Sequence, residues 1–136
     1  MCGLFALGSR FFRLFGELII FKRQMVYKKS EIRNIIANYV KELQKRIPVK
    51  RVILFGSYAY GRPTRGSDID IAVVSDKFKR MDDIKRIMLL SDYARKIKIS
   101  IDIDPIGFTE DELENADYFE IGGEIVEKGV EIYKAA

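Results

Sequence analysis

Leu54 to Val74 reads LFGSYAYGRPTRGSDIDIAVV: an apolar run that breaks at Gly56, crosses a basic loop, and resumes around two aspartates, Asp68 and Asp70. Side chains along a strand alternate faces, so Asp68 and Asp70 point one way while Ile69 and Ile71 enter the opposite packing layer. Like charges this close repel, and each pays desolvation if partly buried. Something positive must compensate. Arg62 and Arg65 in the loop can do so, but paired carboxylates converging on one point are also the usual ligand set of a magnesium ion.

Outward from this stretch the chain divides into short elements. SEIRNIIANYVKELQKRI predicts an amphipathic helix, with Ile32, Ile35, Ile36, Tyr39, Val40, Leu43 and Ile47 on one stripe, Ser30 as N-cap and Pro48 just past the end. VKRVILFGS reads as a buried strand ending at a glycine, and SDIDIAVVS as a second strand. MDDIKRIMLLSDYARKI suits another helix, with Asp82 and Asp83 favouring its start. KISIDIDPIGF predicts a third strand, which Pro105 assigns to a sheet edge or a strand end. TEDEL is a capping-box start, Thr109 over Glu112. The last stretch predicts a short helix stopping near Gly129 and a strand from Val130 to Tyr133. The order implies an α/β (α+β) domain with one small mixed sheet flanked by helices.

The third strand brings a second acidic pair, Asp102 and Asp104, on one face by alternation. Beside the Asp68 strand it would bring up to four carboxylates to one cleft. Three suffice for a two-metal site, in which one ion activates an attacking hydroxyl and the other stabilises the leaving oxygen of an in-line displacement at phosphorus. Gly56 and Ser57 close the arrangement: a strand running into Gly-Ser aims backbone N–H groups at an anion, and the glycine permits close approach.

Composition narrows the chemistry. The 136 residues suit one domain and include one cysteine, Cys2, and no histidine, which excludes disulfide frameworks, zinc centres and histidine acid/base catalysis. Any metal must be held by oxygen. The net charge of +4 hides a gradient: residues 31–100 carry sixteen basic against eight acidic side chains, and residues 101–136 carry two against eleven. The basic middle surrounds the Gly-Ser and aspartate motif, where an anionic ligand would be steered in. Lys77, Lys79 and Arg80 read as a solvated approach to a helix, and the acidic C-terminal third as a solvated helix face or a surface for a basic partner.

Residues 1–24, apolar but interrupted by Arg10, Arg13 and Glu17, fit neither a membrane span nor a signal peptide. An amphipathic helix on a membrane or partner and a helix packed on the domain remain open. The preferred reading is an extension upstream of a domain over 25–136, with Met25 as its natural start.

Gly56-Ser57, ten residues, then Asp68-Ile69-Asp70 resembles the signature of the nucleotidyltransferase superfamily that includes DNA polymerase β. The wider match, including Gly61 and Ser67, resembles its minimal nucleotidyltransferase (MNT) domains. That resemblance implies Mg2+, two ions, and a nucleoside triphosphate, ATP, as substrate, with pyrophosphate released. It implies phosphate contacts from Gly56, Ser57, Arg62, Arg65 and Ser67, and metal ligation and catalysis by Asp68, Asp70 and a third carboxylate. Asp104 fits that third place best, with Asp102 the alternative one pleat away. Many relatives carry arginine where this chain has Tyr58 and Tyr60, so positive charge at the phosphates must come from Arg62, Arg65 or elsewhere. The two tyrosines could stack a base or simply pack. The resemblance further implies an antitoxin paired with a HEPN-domain protein, a tyrosine of which accepts AMP. The competing readings are an antitoxin that neutralises its partner by association alone, and a nucleotide sensor without transfer. A need for cellular nucleoside triphosphate and the lack of an export signal point to the cytoplasm.

Overall fold

The computed structural model describes residues 26–97, 101–117 and 120–136; the expected extension over 1–24 lies outside them. Helix α1 spans Lys29–Leu43 and buries Ile32, Ile36, Tyr39, Val40 and Leu43, a stripe at helical spacing. It starts earlier than expected, with Lys28 and not Ser30 at the N-cap. The Glu31 carboxylate reaches back to accept the Lys28 N–H at 3.4 Å, which sets the start. The helix also ends earlier, because residues 44–47 tighten into turns, Arg46 N–H donating to Leu43 O at 2.9 Å, while still burying Ile47.

Four strands follow: β1 Arg51–Phe55, β2 Ile69–Val74, β3 Ile103–Phe108 and β4 Val130–Lys134. They form one sheet in the order β3-β2-β1-β4, with β1 antiparallel to β2 and β4, and β2 parallel to β3. The mixed sheet is as expected, and Pro105 does sit on an edge strand, where its missing N–H breaks no ladder. Residues 98–100, read as the start of the third strand, lie outside the described residues. Helix α2, Asp83–Lys96, is capped by Asp82, whose carboxylate accepts the Lys85 N–H at 2.9 Å. It carries the chain between the parallel β2 and β3. Helices α3, Glu110–Glu114, and α4, Ile121–Lys128, come last, α3 opening on the expected capping box between Thr109 and Glu112.

Strand alternation divides the core in two. Val52, Leu54, Ile69, Ile71 and Val73 face α1 and α2, with Phe78 and Leu90 completing that layer. Tyr39 is buried there, and its hydroxyl donates to Leu90 O at 2.7 Å, joining the two helices; burial pushes its ionisation well above the usual tyrosine range. Ile53, Phe55, Ala72 and Val74 face the other way, against Leu113 and Ile125 of α3 and α4. Those two helices are short. On that face of β2, Ala72 and Val74 are buried and Asp70 is half-buried.

The basic and acidic blocks of the sequence meet in space. Arg51 on β1 pairs with Glu110 at 2.5 Å and Glu131 at 2.7 Å. Arg86 on α2, 8% exposed, donates to both carboxylate oxygens of Glu112 at 2.7 and 2.8 Å and to the carbonyls of Phe78, Met81 and Gly107. The acidic third is therefore partly internal pairing rather than simply a solvated face. Lys77, Lys79 and Arg80 lie in a short 3-10 turn, Asp76–Arg80, capped by Ser75.

Candidate active site

β1 ends at Gly56, which has a φ of +71°, in the left-handed region that favours glycine. A Cβ at this position would also collide with Asp70 Oδ2 and stand 3.1 Å from Asp70 Cγ. The backbone turn and the aspartate are thus in direct contact, because Phe55 on β1 is the register partner of Asp70 on β2. Gly56–Tyr58 forms a 3-10 turn, with the N–H groups of Ala59 and Tyr60 donating to Gly56 O at 3.1 and 3.2 Å. Gly61 closes the turn from behind: a Cβ there would stand 2.9 Å from Ser57 Cα.

On the other side of β2, Asp70 is the register partner of Asp104 in β3. Partners in adjacent strands share a face, so the two carboxylates lie side by side. Asp68 shares the face by alternation, just before the first residue of β2. Burial pushes the Asp70 carboxyl up to about 6, and the charges of Asp104 and then Asp68 push the same way. Three of the expected carboxylates therefore interact around Asp70. Asp102 precedes β3 and is exposed; its backbone oxygen accepts the Ile69 N–H at 2.9 Å.

Among the described residues no three acidic side chains form a ready-made metal cage. The donor set nonetheless fits a hard divalent cation by its chemistry: carboxylate oxygens from two neighbouring strands, with the charges of Asp104 and Asp68 raising the energy of the Asp70 carboxylate. Magnesium is commonly held by one or two carboxylates with water and substrate oxygens completing its shell, so a closed protein cage is not required.

The remaining expected residues divide. Ser57 is half-buried in the turn against Gly61. The Ser67 hydroxyl accepts the Thr64 N–H of its own loop at 2.9 Å. Arg62 and Arg65 are exposed on that loop. Tyr58 is core, packed with α1 and accepting the Tyr27 N–H at 3.4 Å. Tyr60 lies at the cleft rim, its hydroxyl donating to Glu124 of α4 and its ring beneath the Lys128 ammonium, 5.7 Å from the centroid. Sequence reasoning missed Glu124 and Lys128. They lie more than fifty residues beyond the last aspartate of the motif, and their only local signal is an i,i+4 pairing of opposite charges.

A family model described as a nucleotidyltransferase domain matches residues 33–132. A protein of Methanocaldococcus jannaschii, provisionally assigned as a protein adenylyltransferase, is 39% identical over 77 residues, 57% of this chain and 85% of that protein. A provisionally assigned nucleotidyltransferase from Sulfolobus solfataricus shares the fold, with a TM-score of 0.58 over 85% of this chain and 87% of that one at 23% identity. A chain of a toxin–antitoxin crystal structure with AMP-PNP has a TM-score of 0.54 and 30% identity over 76% of this chain and 73% of that one.

Proposed function

The chain belongs to the nucleotidyltransferase domain family, and from that premise we propose that it transfers AMP from ATP, with Mg2+, to a tyrosine hydroxyl of a HEPN-type toxin, acting as its antitoxin. The observation that carries this reading is the contact between the Gly56 turn and Asp70, with Asp104 in register on the next strand. Names among its relatives support adenylyl transfer and a toxin partner, while Mg2+, the tyrosine acceptor and the HEPN type rest on the resemblance of the motif. One is provisionally a protein adenylyltransferase, and a structural neighbour is a toxin–antitoxin protein solved with an ATP analogue.

In this mechanism the Gly56 and Ser57 backbone N–H groups and the Ser57 hydroxyl hold the polyphosphate, and the glycine lets it approach the backbone. Asp68, Asp70 and Asp104 would hold Mg2+, which when bound neutralises phosphate oxygens and makes the acceptor oxygen more nucleophilic. Asp104, the most exposed side of the Asp70–Asp104 pair, takes the proton of the acceptor hydroxyl. The acceptor oxygen bonds to the α-phosphorus as the bond to the bridging oxygen breaks, and pyrophosphate leaves. Arg62 and Arg65, on the exposed loop before β2, steer the anion and close over it.

The test is incubation with Mg2+ and α-labelled ATP, with and without the partner toxin, comparing wild type with Asp68→Ala/Asp70→Ala. Label moving to the toxin with wild type alone supports transfer. A toxin silenced equally by both proteins, and unlabelled by either, would establish neutralisation by association and overturn the proposal.

A further inference from the structure

The chain at the end of α4 is held tightly against β1. Gly129 follows Lys128, its N–H donating to Ile125 O at 2.8 Å, and a side chain at 129 would collide with Ile53 of β1. The next residue, Val130, is the register partner of Leu54, two positions before Gly56. Lys128 therefore emerges about one strand's width from the end of β1, where the Gly-Ser turn begins.

Tyr60 fixes where its ammonium goes. Its hydroxyl donates to Glu124, one helical turn before Lys128 on the same face of α4, and its ring lies under Lys128 Nζ. The phenol is also within electrostatic reach of Asp70, whose charge helps to raise its ionisation after burial and the Glu124 bond. One residue thus joins the Gly56 turn, through its N–H on Gly56 O, to the end of α4, through its side chain. A nucleoside triphosphate brings several negative charges to a cleft that already holds three carboxylates. Lys128, itself exposed, is a cation carried on a helix and seated on a ring, whereas Arg62 and Arg65 lie on a loop.

Resting on the nucleotidyl-transfer reading above, we propose that Lys128 binds a phosphate of the nucleotide substrate, with Tyr60 and Glu124 as the positioning residues that aim it. An ammonium meeting a phosphate oxygen makes a charge-assisted hydrogen bond, so its loss should weaken nucleotide binding by about tenfold.

Two measurements are made on the full chain: equilibrium binding of ATP with Mg2+, and the KM and kcat of AMP transfer. Lys128→Ala is expected to raise Kd and KM together by about tenfold and to leave kcat within about twofold. Lys128→Arg should restore most of the affinity, and Lys128→Met, which keeps the stem over Tyr60 but not the charge, should not. Tyr60→Phe, retaining the ring but losing the Glu124 bond, should raise KM by a smaller factor. Unchanged nucleotide binding in Lys128→Ala, or full rescue by Lys128→Met, would overturn the lysine's role while leaving the transfer reading intact. A wild type that transfers nothing, yet binds ATP more tightly than Lys128→Ala, would overturn the transfer reading and support the lysine.

Discussion

Two charged clusters sit on this fold and are built in opposite ways. Arg86 is buried with its charge answered at once, by both oxygens of Glu112 and by three backbone carbonyls, and the Phe78 ring lies 5.5 Å from the guanidinium carbon. That pairing holds the Glu112 carboxyl below its ordinary range. At the other end of the sheet Asp70 is raised, because its burial is compounded by two further acids. The first cluster spends charge on holding α2, α3 and the end of β3 together. The second concentrates like charge at the start of β2, beside the Gly56 turn. A fold that satisfies its polar groups this well elsewhere, with no buried side-chain polar atom among the described residues left without a partner, keeps such strain where a ligand relieves it.

The contrast is broken most directly by removing the acids. Asp68→Ala/Asp70→Ala should lower AMP transfer by about a thousandfold or more, on the order of 4 kcal/mol of transition-state stabilisation, while the melting temperature holds or rises. A double mutant that melts early would mean the aspartates are structural, like Arg86. At the other cluster, Arg86→Ala should cost about 3 kcal/mol in urea unfolding, since it removes a donor from three carbonyls and the cationic partner from Glu112. Transfer by the folded fraction should survive that change. If transfer fell as far as in the aspartate mutant, the two clusters would not be separable.

Gly56→Ala joins backbone strain to a clash with Asp70, and should lower transfer by about a hundredfold with a stability loss of about 1–2 kcal/mol. The smallest effect concerns pH. Asp70 holds its proton to about 6 in the fold, against 3.8 for a free aspartate, so the folded state binds more protons between those values. Its contribution to stability is therefore fullest below about pH 4 and is lost as pH rises through 6. Thermal melts should show that decline in wild type and a flatter profile in Asp70→Asn. Mg2+ should restore melting temperature in wild type above pH 6 and have little effect at pH 4.

Much of this was legible locally. The alternation of Ile69, Asp70 and Ile71, the glycine after β1, Pro105 on an edge and the Thr109 cap are each set by a few neighbouring residues, and the fold respects them. Helix limits were less legible at α1, where Glu31 reaching back to Lys28 outweighed the expected Ser30 cap. Ser67 accepts the Thr64 N–H within its own loop, a contact set by loop closure. The basic and acidic blocks looked like separate solvated faces because ion pairs such as Arg51–Glu131 join residues eighty positions apart, beyond any local pattern.

The sequence alone determined that two aspartates share a strand face, that a glycine turn precedes them, and that no histidine or cysteine pair is available, since these follow from alternation and composition. Only the tertiary structure decided which acid stands beside Asp70. Strand register is a long-range property, fixed by how β2 and β3 bury their apolar faces together, and it places Asp104 there. The same packing brings Lys128 to Tyr60, because the last helix and strand return to the edge of β1.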